Sequence, residues 1–212
     1  MTTESLIDRL VADAEARPPE TAPPWWLLGL IAPILALAVF LPTIGPRPDI
    51  AHSMTTMPFD MKFVDAGLLA LSAFLALTAL ARPAAPIRHR LAWLALPACV
   101  LLVTVAAEMA VVPQSLWMTR AIGSNSQICM TAIPSMGAPV LILLLWGLKR
   151  RAPTRPTLTG AVAGLAAAGI SAFFYAAHCT DDSPLFVATW YPMATLILVA
   201  AGALLGNRLL RW

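Results

Sequence analysis

Six stretches of the chain run for close to twenty residues with no more than one ionised side chain in each: 25–41, 63–81, 91–112, 128–148, 158–178 and 185–205. A bilayer core about 30 Å thick is crossed by roughly 20 apolar helical residues. The pattern predicts an all-α polytopic membrane protein in which residues 25–212 form a bundle of six transmembrane helices.

The 24 residues ahead of the first stretch follow another pattern. In ESLIDRLVADAEA (residues 4–16), Leu6, Ile7, Leu10, Val11 and Ala14 fall on one helical face, while Asp8, Arg9, Asp13 and Glu15 fall mostly elsewhere. Ser5 and Asp8 stand at capping-box spacing. A helix this short is marginal alone in water, so Leu6, Ile7, Leu10 and Val11 are expected to pack on another surface. The segment carries more acid than base, which suits a protein partner better than anionic lipid. RPPETAPP, residues 17–24, reads as a semi-stiff spacer. Residues 1–24 thus form a partner-binding helix with its spacer, and residues 25–212 the membrane unit.

Within the spans, Gly160 and Gly164 in the fifth and Gly202 and Gly206 in the sixth have the spacing that lets helix backbones approach, expected here to serve packing inside one bundle. Pro134 and Pro139 should free carbonyls and bend the fourth span. Asp65 and Glu108 are the acids in or at the edge of a span, and such acids are candidate functional groups. Both lie near enough to the outer interface to be hydrated.

Composition narrows the function. Of 212 residues, 59% are apolar and 12% charged, and no polar segment is long enough for a soluble catalytic domain; the chain is not read as an enzyme. The first span follows an acidic, proline-rich segment and precedes no small-residue cleavage site, so it is taken as a retained helix. The net charge of +3 has a topological cause. Arg9, Arg17, Arg82, Arg88, Arg90, Lys149, Arg150, Arg151, Arg155, Arg208 and Arg211 share one side, and Arg47, Lys62 and Arg120 the other. The positive-inside rule then puts both termini in the cytoplasm, and no direct binding of nucleic acid is needed to explain the charge.

Three cysteines carry the candidate chemistry. Cys99, among LALPA and VLLV, reads as an inert small hydrophobe. Cys129 lies 20 residues before Lys149 and Cys179 lies 22 after Thr157. At 1.5 Å per residue an antiparallel helix pair brings both to the outer face at nearly one height. Such a pair admits a structural disulfide or a soft-metal site. The surroundings lean toward metal: His178 adjoins Cys179, and HSMTTMPFDM supplies His52, Met54, Met57 and Met61. Thiolate, thioether and imidazole favour copper(I) or another soft ion, as a signal rather than an obligatory cofactor. Asp181 and Asp182 are expected to cap the turn into the sixth span.

Two other functions fit less well. A soft-metal transporter along Asp65, Glu108 and the thiols lacks a chain of polar residues continuing across the spans. A membrane thiol oxidoreductase feeding a quinone would want a second cysteine pair or a CxxC.

The leading LIDRLVADAEARPP, the six spans and the block from LKRRAPTRPTLTGAVAGLAAAGISAFFYAAHCTDDSP to the closing RLLRW resemble the NrsF-type family of membrane anti-sigma factors. The resemblance implies a protein of the bacterial inner membrane. Its cytosolic N-terminal segment would hold an extracytoplasmic-function (ECF) sigma factor, and two extracytoplasmic cysteines would respond to heavy-metal stress. Matched onto this chain, those are the cysteine ahead of TAIPSMGAPVLILLLWGLKR, Cys129, and the one in AAHCTDDSP, Cys179.

Overall fold

The long apolar runs fold as expected, because in a chain with so few polar side chains the helix satisfies its backbone groups internally. The structure is a computed structural model that describes residues 2–16, 22–82, 87–151 and 153–211, and among these all regular structure is helical. In chain order the helices are α1 (Thr3–Ala16), α2 (Trp25–Thr43), α3 (Ile50–Ser53), α4 (Met57–Leu80), α5 (Ile87–Ala92), α6 (Ala95–Val111), α7 (Trp117–Ile122), α8 (Ser126–Lys149), α9 (Pro156–Ala176) and α10 (Pro184–Leu209). A 3-10 turn, Gln114–Leu116, leads into α7. Six segments are long and apolar enough to cross a bilayer: α2, α4, the α5–α6 stretch, α8, α9 and α10.

The third span departs from the sequence reading, for α5 and α6 are separate helices. Pro97 lacks the N–H that would bond the Trp93 carbonyl, and its ring crowds that turn. The chain tightens there into i→i+3 bonds, Leu94 N–H to Leu91 O at 3.1 Å and Leu96 N–H to Trp93 O at 3.1 Å. The capping box also does not form. Ser5 Oγ instead donates to the Thr2 carbonyl at 2.8 Å. The side chains of Leu6, Ile7, Leu10 and Val11 are exposed as the amphipathic pattern requires. Residues 17–21 of the spacer lie outside the described residues.

The centre of the bundle is α9, which packs against α10, α4, α8 and α2. Its small residues make this possible. A Cβ on Gly160 would stand 2.1 Å from the Gly202 carbonyl oxygen, and one on Gly164 2.2 Å from the Leu198 carbonyl oxygen, so α9 and α10 meet backbone to backbone within one chain. By contrast α6 is peripheral and buries only Pro97 among its residues. α8 runs unbroken through Pro134 and Pro139 and presents Ile133, Val140 and Leu144 to the core.

Short connections make successive spans antiparallel and give the bundle two ends. One, the basic end, carries Trp25, Arg82, Arg151 and Arg208; the other, the thiol end, carries Arg47, Lys62 and Cys179. At the basic end Arg151 donates to the Pro23 carbonyl and lies 4.4 Å from the Trp25 ring centroid. Leu28 of α2 fills the space beside Gly147 of α8, where a Cβ would fall 2.6 Å from Leu28 Cδ1.

Candidate functional site

Cys129 opens the second turn of the eighth helix, whereas Cys179 lies three residues past the ninth. The matched helix lengths bring them to the same end of the bundle as counting predicts, close enough for Cys179 to bear on Cys129. Both are free thiols, and both have 0% relative exposure. The sequence reading had them facing outward; the structure covers them. Tyr175 and Tyr191, with ring centroids 5.7 Å apart, stand beside both sulfurs. The Tyr175 hydroxyl donates to the Asn125 carbonyl at 3.2 Å, and the Cys179 thiol donates to the Asp181 carbonyl at 3.6 Å.

Residues 177–183, the lid segment in which Cys179 itself lies, are fastened on two sides. On one side Asp181 Oδ2 accepts the backbone N–H groups of Ser124 and Asn125 at 2.9 and 2.8 Å and the Asn125 side-chain amide at 2.9 Å. These donors lead into α8, where a carboxylate also complements the helix dipole. Gly123, at φ +57°, turns the chain so that they face Asp181. On the other side Asp182 receives Lys62 Nζ at 2.6 Å and Arg47 Nη1 at 3.0 Å. Both cations also donate to the Cys179 carbonyl, Lys62 at 2.9 Å and Arg47 at 3.3 Å. Arg47 has a second partner in Asp49, through Nε at 2.7 Å and Nη2 at 2.8 Å.

The aspartates therefore do not cap the turn into α10. Glu108 takes that place, accepting Ser183 Oγ at 2.8 Å and the Leu185 N–H at 2.9 Å. Its side chain is 7% exposed and pairs with Arg120 Nη1 at 2.9 Å, so it is not the hydrated interfacial acid that its position suggested. All three cations of this end thus meet an acid.

The electrostatics hold the lid closed and the thiol quiet. The Asp49 partnership, with Asp182 behind it, raises the Arg47 guanidinium above its ordinary value, and Arg47 holds Asp49 below the usual carboxylate range. Burial pushes the Cys179 thiol up, only partly offset by the Lys62 charge. A thiol must ionise to act as nucleophile or metal ligand, so Cys179 is inert while covered.

The weaker candidates separate from the thiols. His178 Nδ1 contacts the Gly45 carbonyl at 2.9 Å, which fixes the ring against the α2–α3 connection. Met54 and Met57 are exposed, and Met57 and Met61 line a different cavity of about 850 Å³ between α4, α6 and the lid. Among the described residues no three His, Cys, Asp or Glu side chains are grouped as a metal would need.

A protein-family model described as NrsF, negative regulator of sigma F, matches residues 10–212. The chain belongs to the NrsF family. The anti-sigma-F factor NrsF of Caulobacter vibrioides is 35% identical over 220 residues, and the probable anti-sigma-F factor NrsF of Azospira oryzae is 30% identical over 213. Each match covers 100% of both chains, so the NrsF likeness takes in the N-terminal helix as well as the bundle. No solved structure matches the chain.

Sequence reasoning missed Arg47, Lys62, Asn125, Tyr175 and Tyr191. A signal for the first two existed: they are two of the three cations at the end that carries Asp181 and Asp182.

Proposed function

We propose that this NrsF-family chain is a membrane-bound anti-sigma factor of the bacterial inner membrane, with both termini in the cytoplasm. Leu6, Ile7, Leu10 and Val11 hold an ECF sigma factor there. Release follows when a heavy-metal ion, copper(I) or another thiophilic ion, or a thiol-reactive agent engages Cys129 and Cys179 on the periplasmic side. The observation that carries the reading is end-to-end likeness to relatives named anti-sigma-F factors. The exposed apolar stripe of the N-terminal helix and the paired thiols at the opposite end of the bundle support its two halves.

Because the thiols are covered, the signal acts on the open lid. A ligand shifts such an equilibrium only by its preference for one state. A hundredfold preference for the open lid supplies about 2.7 kcal/mol.

A pull-down from solubilised native membranes tests the first half, comparing the full chain with one lacking residues 1–22. A sigma factor is expected with the full chain alone, and its absence from both would sink the sequestration reading. For the second half, a sigma-dependent reporter is followed under metal stress in Cys129→Ser/Cys179→Ser cells. Induction is expected to vanish, and its persistence would remove the thiols from the mechanism.

A further inference from the structure

Beneath the peripheral α6, voids follow one another from the thiol end into the bundle. The outermost is the 850 Å³ cavity bordered by Met61 and Thr104. Those residues continue, with Asp65 and Leu101, into a neck of about 10 Å³, room for roughly one water. Asp65 and Leu101 then line an inner chamber of about 180 Å³ whose other walls include Ala172, Tyr191 and Thr195. Asp65 Oδ1 is buried there without a hydrogen-bond partner among the described residues. Lys62, three residues earlier on α4, is turned away to Asp182 and the Cys179 carbonyl.

A buried carboxylate oxygen with no donor calls for a partner. The chamber offers the space for one. Its walls are apolar apart from Asp65, Tyr191 and Thr195, the arrangement of a pocket that encloses an apolar body and fixes one polar head. Tyr191 adds an aromatic wall for a cation.

We propose that this chamber binds a small organic ammonium ion, with its head on Asp65 and its apolar body against Leu101, Ala172 and the Tyr191 ring. Tyr191 also stands beside Cys179, so an occupant touches the wall that the thiol site shares.

The test uses the full chain in nanodiscs of phosphatidylethanolamine and phosphatidylglycerol, titrated with 4-fluorophenethylamine and followed by fluorine NMR against empty nanodiscs. Saturable binding is expected, weakened at least tenfold in Asp65→Asn and in Leu101→Trp, which fills neck and chamber. 4-Fluorophenethyl alcohol, the neutral counterpart, is expected to bind at least tenfold more weakly than the amine. The proposal is overturned if the amine shows only lipid partition, if a folded Asp65→Asn protein binds it as well as the parent, or if the alcohol binds equally. Should Asp65→Asn fail to fold, Leu101→Trp and the alcohol comparison decide. The assay contains no sigma factor, so its outcome is independent of the anti-sigma reading.

Discussion

Asp182→Asn isolates the charge that fastens the lid. The substitution keeps the size of the side chain but withdraws the counter-charge from Lys62, 2% exposed, and from Arg47, 8% exposed. Breaking a fully buried ion pair costs about 3–5 kcal/mol because the stranded charge stays desolvated. The figure is smaller here: Asp182 itself is 27% exposed, and Arg47 keeps Asp49. About 2–3 kcal/mol remains once solvent screening is discounted. If the thiols react through a rapidly opening and closing lid, labelling follows the open population. That energy then accelerates labelling of Cys129 and Cys179 by a charged maleimide about 30- to 150-fold. The assay is done in nanodiscs on a Cys99→Ala background, with each thiol quantified by peptide mass spectrometry. A change below threefold, in a protein whose unfolding temperature is unaltered, would refute the lid.

Three further outcomes follow from the same geometry. Gly160→Ala forces the backbones of α9 and α10 apart, since its Cβ would lie 2.1 Å from the Gly202 carbonyl oxygen; a cost of about 1–3 kcal/mol should lower Tm by roughly 3–10 °C. Gly67→Ala, whose Cβ meets only the Phe173 ring at 3.6 Å, is expected to leave Tm unchanged or slightly raised in the same thermal scan. Burial raises the covered Cys179 thiol above the usual value of 9.0, so the closed lid's stability is fully present below that pH and is lost as pH rises through the raised value. Labelling of Cys179 should therefore keep climbing about tenfold per pH unit above 9, where a free thiol levels off; a plateau shared with a model thiol would contradict the burial.

The six spans were legible because the bilayer imposes one length on any helix that crosses it, and side-chain chemistry hardly enters that count. The pairing of Cys129 with Cys179 was legible for a related reason: helical rise is fixed, so two antiparallel segments of matched length end together. What covers the thiols was not. Arg47 and Lys62 reach Asp182 across more than a hundred residues of chain, and no local pattern states which of several acids a cation will meet. Asp181 and Asp182 look like capping residues in the sequence because they precede Ser183 and Pro184. In the folded bundle the donors entering α8 and two buried cations compete for them, and Glu108 serves α10 instead. Pro97 did carry a readable signal, a helix break one turn before it, masked by the hydrophobicity on both sides.

For the proposed release mechanism, the packing constrains where movement would start and where it would arrive. α9 and α10 touch backbone to backbone through Gly160, Gly164 and Gly202, a contact that sliding would turn into collision. α8 meets the core through unbranched or γ-branched side chains such as Met136 and Leu144, and a helix held that way can shift by repacking rotamers. Its entry at the thiol end is tied to the lid by Asp181, and two residues past its far end Arg151 grips the Pro23 carbonyl and the Trp25 ring, where the spacer of the N-terminal helix joins the bundle. A helix of 24 residues carries a displacement over about 36 Å with little compression. In the proposed mechanism, opening the lid would free one end of α8 while α9 and α10 stay in place, and Arg151 would pass the displacement to Pro23 and Trp25, on the N-terminal side of the bundle. Under that proposal, burial of the thiols would make the device selective: a ligand that gains nothing from the open lid would not shift the helix.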